Sequence, residues 1–263
     1  MITNNLTATA QYLLNQLPRI AAYLVDSDWL DIDDPREHEP DWHQWGVLEH
    51  SRRVSQAMAN EAPIFCLAWE APFISDLKAE VVEHKSKWDL LLIACVVHDL
   101  GKWAGRTVKS GGSHSFKGHE AVSEHLIRHD PYVRRVLLQV KLRSEQLDYI
   151  ARVAGTHYEL GKLRRLAQER GEFDLTFLKS DHFRQGCKLL AAQYPDYLRE
   201  IGLIFLADSL AKVEFRAGLE SSEKIETQIA KQGLSKKLMQ AVSQVPLNIA
   251  LCRAYFKWLI DHQ

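Results

Sequence analysis

The chain contains an apolar run, Leu90 to Val97, that ends in the ionisable pair His98-Asp99. An unpaired carboxylate is costly to bury, so a helix that carries this pair at its inner end needs a compensating partner. A divalent cation is one such partner, because it binds imidazole nitrogen and carboxylate oxygen together. The run therefore predicts a buried helix that delivers ligands to a metal ion. A plain helix end with a capping glycine is the other interpretation.

Gly101 and Lys102, which follow this pair closely in the sequence, also fit the metal interpretation. Gly101 allows the backbone to turn, and Lys102 then projects near the metal, where a phosphate would lie. Consecutive helical residues point about 100° apart. His98 and Asp99 could therefore fill different positions around one ion, or Asp99 could bridge two ions.

Apolar residues recur at helical spacing along most of the chain, and alternating strand patterns are almost absent. We therefore predict an all-α fold and a single domain over residues 1–263. Residues 63–72 are predicted to form a loop or a short irregular segment, and residues 103–118 a mobile loop over the site. Residues 161–174 are basic and then turn-like, and residues 175–184 show no clear period. Helices are predicted over residues 8–24, 42–58, 88–97, 116–126, 132–140, 146–154, 197–215, 220–230 and 234–260.

The composition is that of an ordinary globular protein, with 263 residues, 46% hydrophobic and 25% charged. The chain has no apolar run of the roughly 18 residues that span a bilayer, and its first residues lack the plan of a signal peptide. We expect a cytoplasmic protein with no membrane partner. The cysteines are far apart, without a C-x-x-C pair, and are predicted to be buried reduced thiols: Cys66, Cys95, Cys187 and Cys252.

Charge is unevenly distributed, although the formal net charge is only −1. Residues 26–41 hold eight acidic residues and one arginine, and we predict a linker loop there that covers the site at most in part. Residues 131–170 hold nine basic and four acidic residues. Such a stretch either concentrates anionic ligands near the surface or is only a solvated helix face.

Two further ligand candidates lie on predicted inward helix faces. His50 shares a face with Val47 and Val54, three and four residues away, so it is either a metal ligand or a core histidine. Asp208 follows the apolar run 203–207. An unpaired carboxylate there would be neutralised, so Asp208 is expected to face a cation.

Two histidines lie at predicted helix ends. His119 is placed in the first turn of its helix, where Glu120 could hydrogen-bond its ring or a metal-bound water. His157 follows a predicted helix and is either a ligand or a C-terminal cap stabilised by the helix dipole. The nearby His114, His125 and His129 are expected at the surface or in loops.

In this order and at these intervals, the candidate ligands resemble those of the HD-domain superfamily of metal-dependent phosphohydrolases. The resemblance covers about residues 45–218. Its frame is His50, His98-Asp99 and Asp208, and Gly101-Lys102 also fits. Residues 116–123 are similar to a segment found in several HD branches, including HD nucleases and the HD regions attached to tRNA nucleotidyltransferases.

The resemblance implies an HD-type helical bundle with additional N- and C-terminal helices, and hydrolysis of a phosphoester in a nucleotide or other small phosphorylated substrate. One divalent ion (Mn, Mg, Fe, Co, Ni or Zn) would bind His50, His98, Asp99 and Asp208, with Asp99 positioned to bridge to a second. His119 and His157 would hold the second ion. The implied catalytic residues are Asp99, Lys102, which would neutralise charge on the phosphoryl group, and more weakly Arg106.

Several alternatives remain open. Two-metal HD proteins often carry adjacent histidines where this chain has His157-Tyr158, so a site with one ion is an alternative to a site with two. The Gly-Tyr-Pro sequence of one HD branch is absent. The same ligands would serve a nuclease acting on nucleic acid, a di-iron oxygenase, or a non-catalytic module with a structural metal. In a nucleic-acid-binding protein, tryptophans near the motif could stack on bases: Trp42, Trp45, Trp88 and Trp103.

Overall fold

The apolar run that precedes His98 lies in the middle of the molecule. In the computed structural model, which describes residues 6–25, 29, 31–34, 38, 43–110, 114–171, 175–212 and 244–262, every residue from Leu90 to Val97 is at most 1% exposed. This helix begins after Ser86, whose side chain accepts a hydrogen bond from the Asp89 N–H and caps it. Because the run is apolar on all sides, neighbouring helices cover all of its faces.

The described residues are mostly helical, which confirms the all-α class. A 3₁₀ turn spans Phe177–Lys179. The strands among the described residues form two short antiparallel pairs. β1 (Val81–Val82) pairs with β2 (Lys85–Ser86), and β3 (Thr107–Val108) pairs with β4 (His114–Ser115). The helices are α1 (Ala8–Leu24), α2 (Val47–Asn60), α3 (Ala62–Ala68), α4 (Phe73–Ala79), α5 (Lys87–Val97), α6 (Leu100–Ala104), α7 (His119–His129), α8 (Pro131–Gln139), α9 (Ser144–Thr156), α10 (Glu159–Glu169), α11 (Asp181–Gln193), α12 (Leu198–Ala211) and α13 (Val245–His262).

Helices α5 and α12 form the centre of the fold. Helix α12 is buried from Glu200 to Ala211, and it packs against α2 on one side and α13 on another. Helix α5 packs against α1, α2 and α9, and α9 in turn packs against α7. Buried apolar side chains from Ala10 to Leu259 form one contiguous core. None of the described helices combines the length and the apolar character that crossing a bilayer requires.

Several predicted boundaries are wrong. Residues 63–72 were expected to form a loop, but helix α3 occupies 62–68 and buries Cys66. Residues 161–174 were expected to be turn-like, but α10 continues to Glu169, and α11 begins within the stretch that has no clear period. The 103–118 loop contains the β3–β4 pair. The predicted helix at 220–230 and the first part of the predicted helix at 234–260 lie outside the described residues.

The acidic segment is more than a linker at the residues that the structure describes. Helix α2 begins after Gly46, which has no side chain to cap it, and Asp33 accepts the Glu49 N–H at 3.1 Å instead. The Ile32 carbonyl accepts the indole N–H of Trp103 at 3.2 Å. The segment therefore fixes the start of α2 and one side of α6.

Gly101 has a different role from the predicted turn. It lies inside α6, and a Cβ atom there would fall 2.1 Å from the His119 carbonyl oxygen and 2.7 Å from the Ser123 backbone nitrogen. The glycine thus permits the close approach of α6 to α7, which is sealed by a 2.8 Å hydrogen bond from the Gly101 N–H to Ser123 Oγ.

All four cysteines are buried and free, as predicted. Burial raises the pKa of the Cys66 and Cys187 thiols to about 12, so both are protonated thiols at neutral pH.

Candidate metal centre

Five separate parts of the chain converge on one buried cluster of imidazoles and carboxylates. Helix α2 supplies one histidine, the α5–α6 junction supplies a histidine and an aspartate, α7 and α9 supply a histidine each, and α12 supplies an aspartate. These residues are His50, His98, Asp99, His119, His157 and Asp208. All six predicted ligands thus lie together, although they span more than 150 positions of the sequence.

Asp99 lies at the centre of this cluster, and its carboxylate is approached by all four histidines. Oδ1 is 3.0 Å from His119 Nε2 and 3.8 Å from His157 Nε2. Oδ2 is 3.3 Å from His98 Nε2 and 3.6 Å from His50 Nε2. The two oxygens therefore face two different pairs of imidazoles, which is the arrangement expected of a carboxylate between two ligand sets.

Three of the histidines are oriented in the same way by the backbone. The Nδ1–H of His98, His119 and His157 is donated to the carbonyl oxygen three residues earlier, at 2.8, 2.8 and 2.7 Å respectively. A neutral ring that donates from Nδ1 has its lone pair on Nε2. In this neutral form, all three Nε2 lone pairs point into the cluster, as in a set of metal ligands held by backbone contacts.

This orientation brings His119 Nε2 close to two other acceptor atoms. When the rings are neutral, no hydrogen atom is available to form a hydrogen bond there. His119 Nε2 is 3.2 Å from His157 Nε2 and 3.0 Å from Asp99 Oδ1. Lone pairs would face each other at these distances unless a proton or a cation lies between them. Burial, followed by the charges of His98 and His119, lowers the pKa of His157 to about 4, so His157 is neutral at neutral pH.

The fourth histidine faces the second carboxylate. His50 Nε2 is 3.0 Å from Asp208 Oδ1, and Lys212 Nζ is 3.8 Å from Asp208 Oδ2. Burial opposes the ionisation of Asp208, but Lys212 and the His50 hydrogen bond outweigh it and hold its pKa far below the usual range. Lys212 was not predicted, although its position four residues after Asp208 on a helix was a usable signal.

The buried polar atoms fit a cation. Within the described residues, His98 Nε2 and both Asp99 oxygens lack a well-directed hydrogen bond, although they are fully buried. Burial disfavours an ionised Asp99, yet the charges of His98 and Lys102 hold its pKa well below the usual range. Candidate ligand atoms fall within 4.8 Å of one another in two groups that share His98: His50, His98 and Asp208, and His98, Asp99 and His157. Nitrogen and carboxylate donors in such groups suit Zn²⁺, Mn²⁺, Fe²⁺ or Ni²⁺.

Lys102 belongs to this cluster, as predicted from its position after Gly101. It is 3% exposed, and its Nζ lies 2.9 Å from Asp99 Oδ2 and 2.8 Å from His38 Nε2. His38 is fully buried and stacks on His43, with ring centroids 4.2 Å apart. Sequence reasoning missed both histidines. His38 lies in the irregular acidic segment, and His43, which falls at the start of a predicted helix, lies before α2 begins at Val47.

Arg106 lies away from these contacts. Its guanidinium lies 4.6 Å from the centre of the Trp29 ring, and its Nη1 atom is 3.5 Å from His114 Nε2. Glu120 Oε2 is 3.7 Å from His119 Nδ1, too far for a hydrogen bond, because that N–H is donated to the Phe116 carbonyl instead. Of the histidines expected at the surface, His125 and His129 are exposed.

The tryptophans and the basic stretch give little support to nucleic-acid binding. Trp88 and Trp103 are buried, and Trp42 lies outside the described residues. Several cations of residues 131–170 are paired with carboxylates, which weakens the positive surface: Arg143 with Glu83, Arg152 with Glu124, Lys162 with Glu159 and Arg165 with Glu169.

A comparison of the sequence with models of known protein families finds no matching family, and a comparison with curated proteins finds no matching protein. The resemblance to the HD-domain superfamily therefore rests on the residues of the cluster.

Proposed function

We propose that this chain is a metal-dependent phosphohydrolase of the HD type, which cleaves a phosphoester of a nucleotide or another small phosphorylated substrate. The observation that carries the proposal is the surroundings of Asp99. Its buried carboxylate lies within 3.8 Å of four imidazoles and one ammonium group. Buried charge at this density is typical of functional sites rather than of packing.

One or two divalent cations would be held by His50, His98, Asp99, His119, His157 and Asp208. A cation in such a site lowers the pKa of a bound water and draws charge from a phosphoryl oxygen. The backbone carbonyls of Cys95, Phe116 and Ala154 keep three of the imidazoles in the tautomer that can act as a ligand. This preorganisation avoids rearrangement when the cation binds.

Lys102 supplies positive charge from the protein itself. Its ammonium group lies beside Asp99 in a buried position, so little water screens it. A phosphoryl group that approaches the cluster would meet this ammonium, which stabilises negative charge developing on a non-bridging oxygen. A small substrate is favoured over nucleic acid, because cations of the basic stretch are paired with neighbouring carboxylates.

The test is hydrolysis of an aryl phosphate and of a panel of nucleotides by protein loaded with Mn²⁺, Co²⁺ or Ni²⁺. We expect turnover by the wild type and its loss in Asp99→Ala together with a loss of bound metal. Asp181→Ala is the matched control, because this carboxylate is exposed and pairs with Arg184 on its own helix. A wild type that is inert on the whole panel, with metal content unchanged in Asp99→Ala, would overturn the proposal.

The histidine-rich donor set also suits a di-iron oxygenase of the same fold. Protein purified without oxygen and loaded with iron distinguishes the two functions. A visible absorption that depends on iron and changes on exposure to O₂, without phosphoester hydrolysis, would replace the hydrolase with an oxygenase. Ligand binding that survives Asp99→Ala in a folded protein would indicate a binding module instead.

A further inference from the structure

His38 is a buried histidine at the edge of the cluster, and it faces Lys102 rather than the carboxylates. Its Nε2 atom is 2.8 Å from Lys102 Nζ, across 64 positions of sequence. Its Nδ1 atom is 2.7 Å from the Trp45 carbonyl oxygen, which only accepts hydrogen bonds. The Nδ1–H therefore goes to Trp45, and the lone pair on Nε2 is left to accept a hydrogen bond from the Lys102 ammonium.

Lys102 is thereby held by an ion pair with Asp99 and by a hydrogen bond to His38. Asp99 Oδ2 lies 2.9 Å from Nζ, and His38 Nε2 lies 2.8 Å from the same nitrogen. A lysine side chain has four rotatable bonds and loses considerable entropy when it is fixed. The two contacts restrict the ammonium to the side of Asp99 that faces the cluster.

The His38 ring is itself fixed. It stacks on His43 at an interplanar angle of 16°, and its centroid is 5.5 Å from that of His50. An apolar ring could fill the same space but could not accept the lysine N–H. A donor of a buried ammonium would then lose its partner, which costs more than the loss of packing alone.

We propose that His38 is a positioning residue for Lys102: it accepts a hydrogen bond from the ammonium and keeps it where it meets the phosphoryl oxygens of the substrate. This inference rests on the proposed phosphohydrolase function. It adds a residue from the acidic segment to the site and assigns it a task that differs from metal binding.

Kinetics of two His38 variants test the proposal. His38→Phe keeps an aromatic ring to stack on His43 and removes the acceptor, whereas His38→Gln keeps an acceptor within reach of Nζ. A hydrogen bond to a charged group is worth enough to predict a loss of about 10- to 100-fold in kcat/KM for His38→Phe. The loss falls mainly on kcat, because Lys102 acts on charge that develops in the transition state. His38→Gln recovers most of it.

A double-mutant cycle separates positioning from packing. In Lys102→Met, the further change His38→Phe is expected to have almost no effect, because the residue through which His38 acts is gone. Losses that simply multiply, or a metal content that falls in His38→Phe, would overturn the proposal. His43→Phe is the matched packing control: it alters the same stack without removing the acceptor, so it must cost less than His38→Phe.

The ring tautomer provides a readout that needs no turnover. In ¹⁵N NMR spectra of the imidazoles, with the His38 signals assigned by their absence in His38→Phe, we expect the Nδ1–H tautomer and an Nε2 signal that shifts in Lys102→Met. An Nε2–H tautomer, or an Nε2 signal unaffected by Lys102→Met, would contradict the inference. If the wild type hydrolyses nothing, the proposed function fails, and the NMR result still decides whether His38 accepts from Lys102.

Discussion

His119 and His157 bring their Nε2 atoms to 3.2 Å from each other, while each ring donates its Nδ1–H to a carbonyl on its own segment. Two neutral imidazoles in these tautomers have no proton to share. His119 begins α7 and His157 follows the end of α9, and these two helices pack against each other. A cation or a proton between the two nitrogens would relieve this contact.

His157→Ala is expected to remove the ion held by His119 and His157, so that a wild type with two ions per chain retains one in the variant. Mutation of a group that only orients a ligand typically lowers metal affinity by about 10- to 100-fold. The loss of a ligand imidazole should lower it by more. Elemental analysis after dialysis and calorimetric titration with Mn²⁺ measure both quantities. His125→Ala, an exposed histidine on α7, is the control, and equal metal content in the two variants would contradict the prediction.

Divalent metal is expected to stabilise the native protein, because the ligands converge only when five segments are folded together. At a free metal concentration of about 100 times Kd the gain is about 2.7 kcal/mol, or roughly 5–10 °C in Tm for a chain of this size. Asp208→Ala should lose most of this shift, and Asp181→Ala should keep it. A metal-induced shift that survives unchanged in Asp208→Ala would place the ion elsewhere.

Gly101→Ala is expected to destabilise the protein by about 1–3 kcal/mol, since the new methyl group would overlap the His119 carbonyl. Moving α7 to make room also displaces the His119 ring, so metal affinity should fall as well. Denaturant unfolding and Mn²⁺ titration measure the two effects. Ser123→Ala is the control: it removes the hydrogen bond to the Gly101 N–H without adding atoms, so it should lower stability and leave metal affinity near that of the wild type.

Glu200→Gln is expected to change how stability depends on pH. Burial, opposed only in part by the Tyr149 hydrogen bond at 2.8 Å, raises the pKa of Glu200 above its usual 4.5. The folded protein therefore holds this proton more tightly than the unfolded chain, and stability falls as the pH rises from about 4.5 through the raised pKa. Glutamine stays neutral, so the variant should gain stability relative to the wild type across that range.

Urea unfolding of both proteins at several pH values between 4 and 8 measures this difference. Glu145→Gln on α9 is an exposed control, for which the difference from the wild type should stay nearly constant with pH. A constant difference for Glu200→Gln would show that Glu200 ionises normally in the folded protein.

The sequence predicted a candidate ligand wherever that residue lies on a helix whose apolar residues mark its buried face. His50 could be placed inward because Val47 and Val54 share its face, and Asp208 because it ends an apolar run that belongs to α12. His98 and Asp99 were marked by the apolar run of α5. In each case burial is visible in the local pattern, and a buried polar group must have a partner.

Other parts of the fold depend on contacts that no local pattern encodes. His38 meets Lys102 through tertiary packing of an irregular segment, and Asp33 caps a helix that starts fourteen residues later. Gly101 serves a close helix approach that becomes apparent only when α7 is in place. Helix α10 was missed because its glycine, Gly161, and its many charged residues are typical of a turn. This glycine nevertheless lies inside the helix, close to the Tyr158 ring.

The cluster of ligands cannot be transplanted as a module bounded by residues 45 and 218. Such a fragment would lack the Asp33 cap of α2, the His38 partner of Lys102, and helix α1 along one side of α5. It would also lack α13, whose Phe256 ring packs closely against Gly202. A Cβ atom on Gly202 would fall 2.0 Å from that ring. The apolar surface of α12 next to Asp208 would then face water, so an excised fragment would favour self-association over a working site.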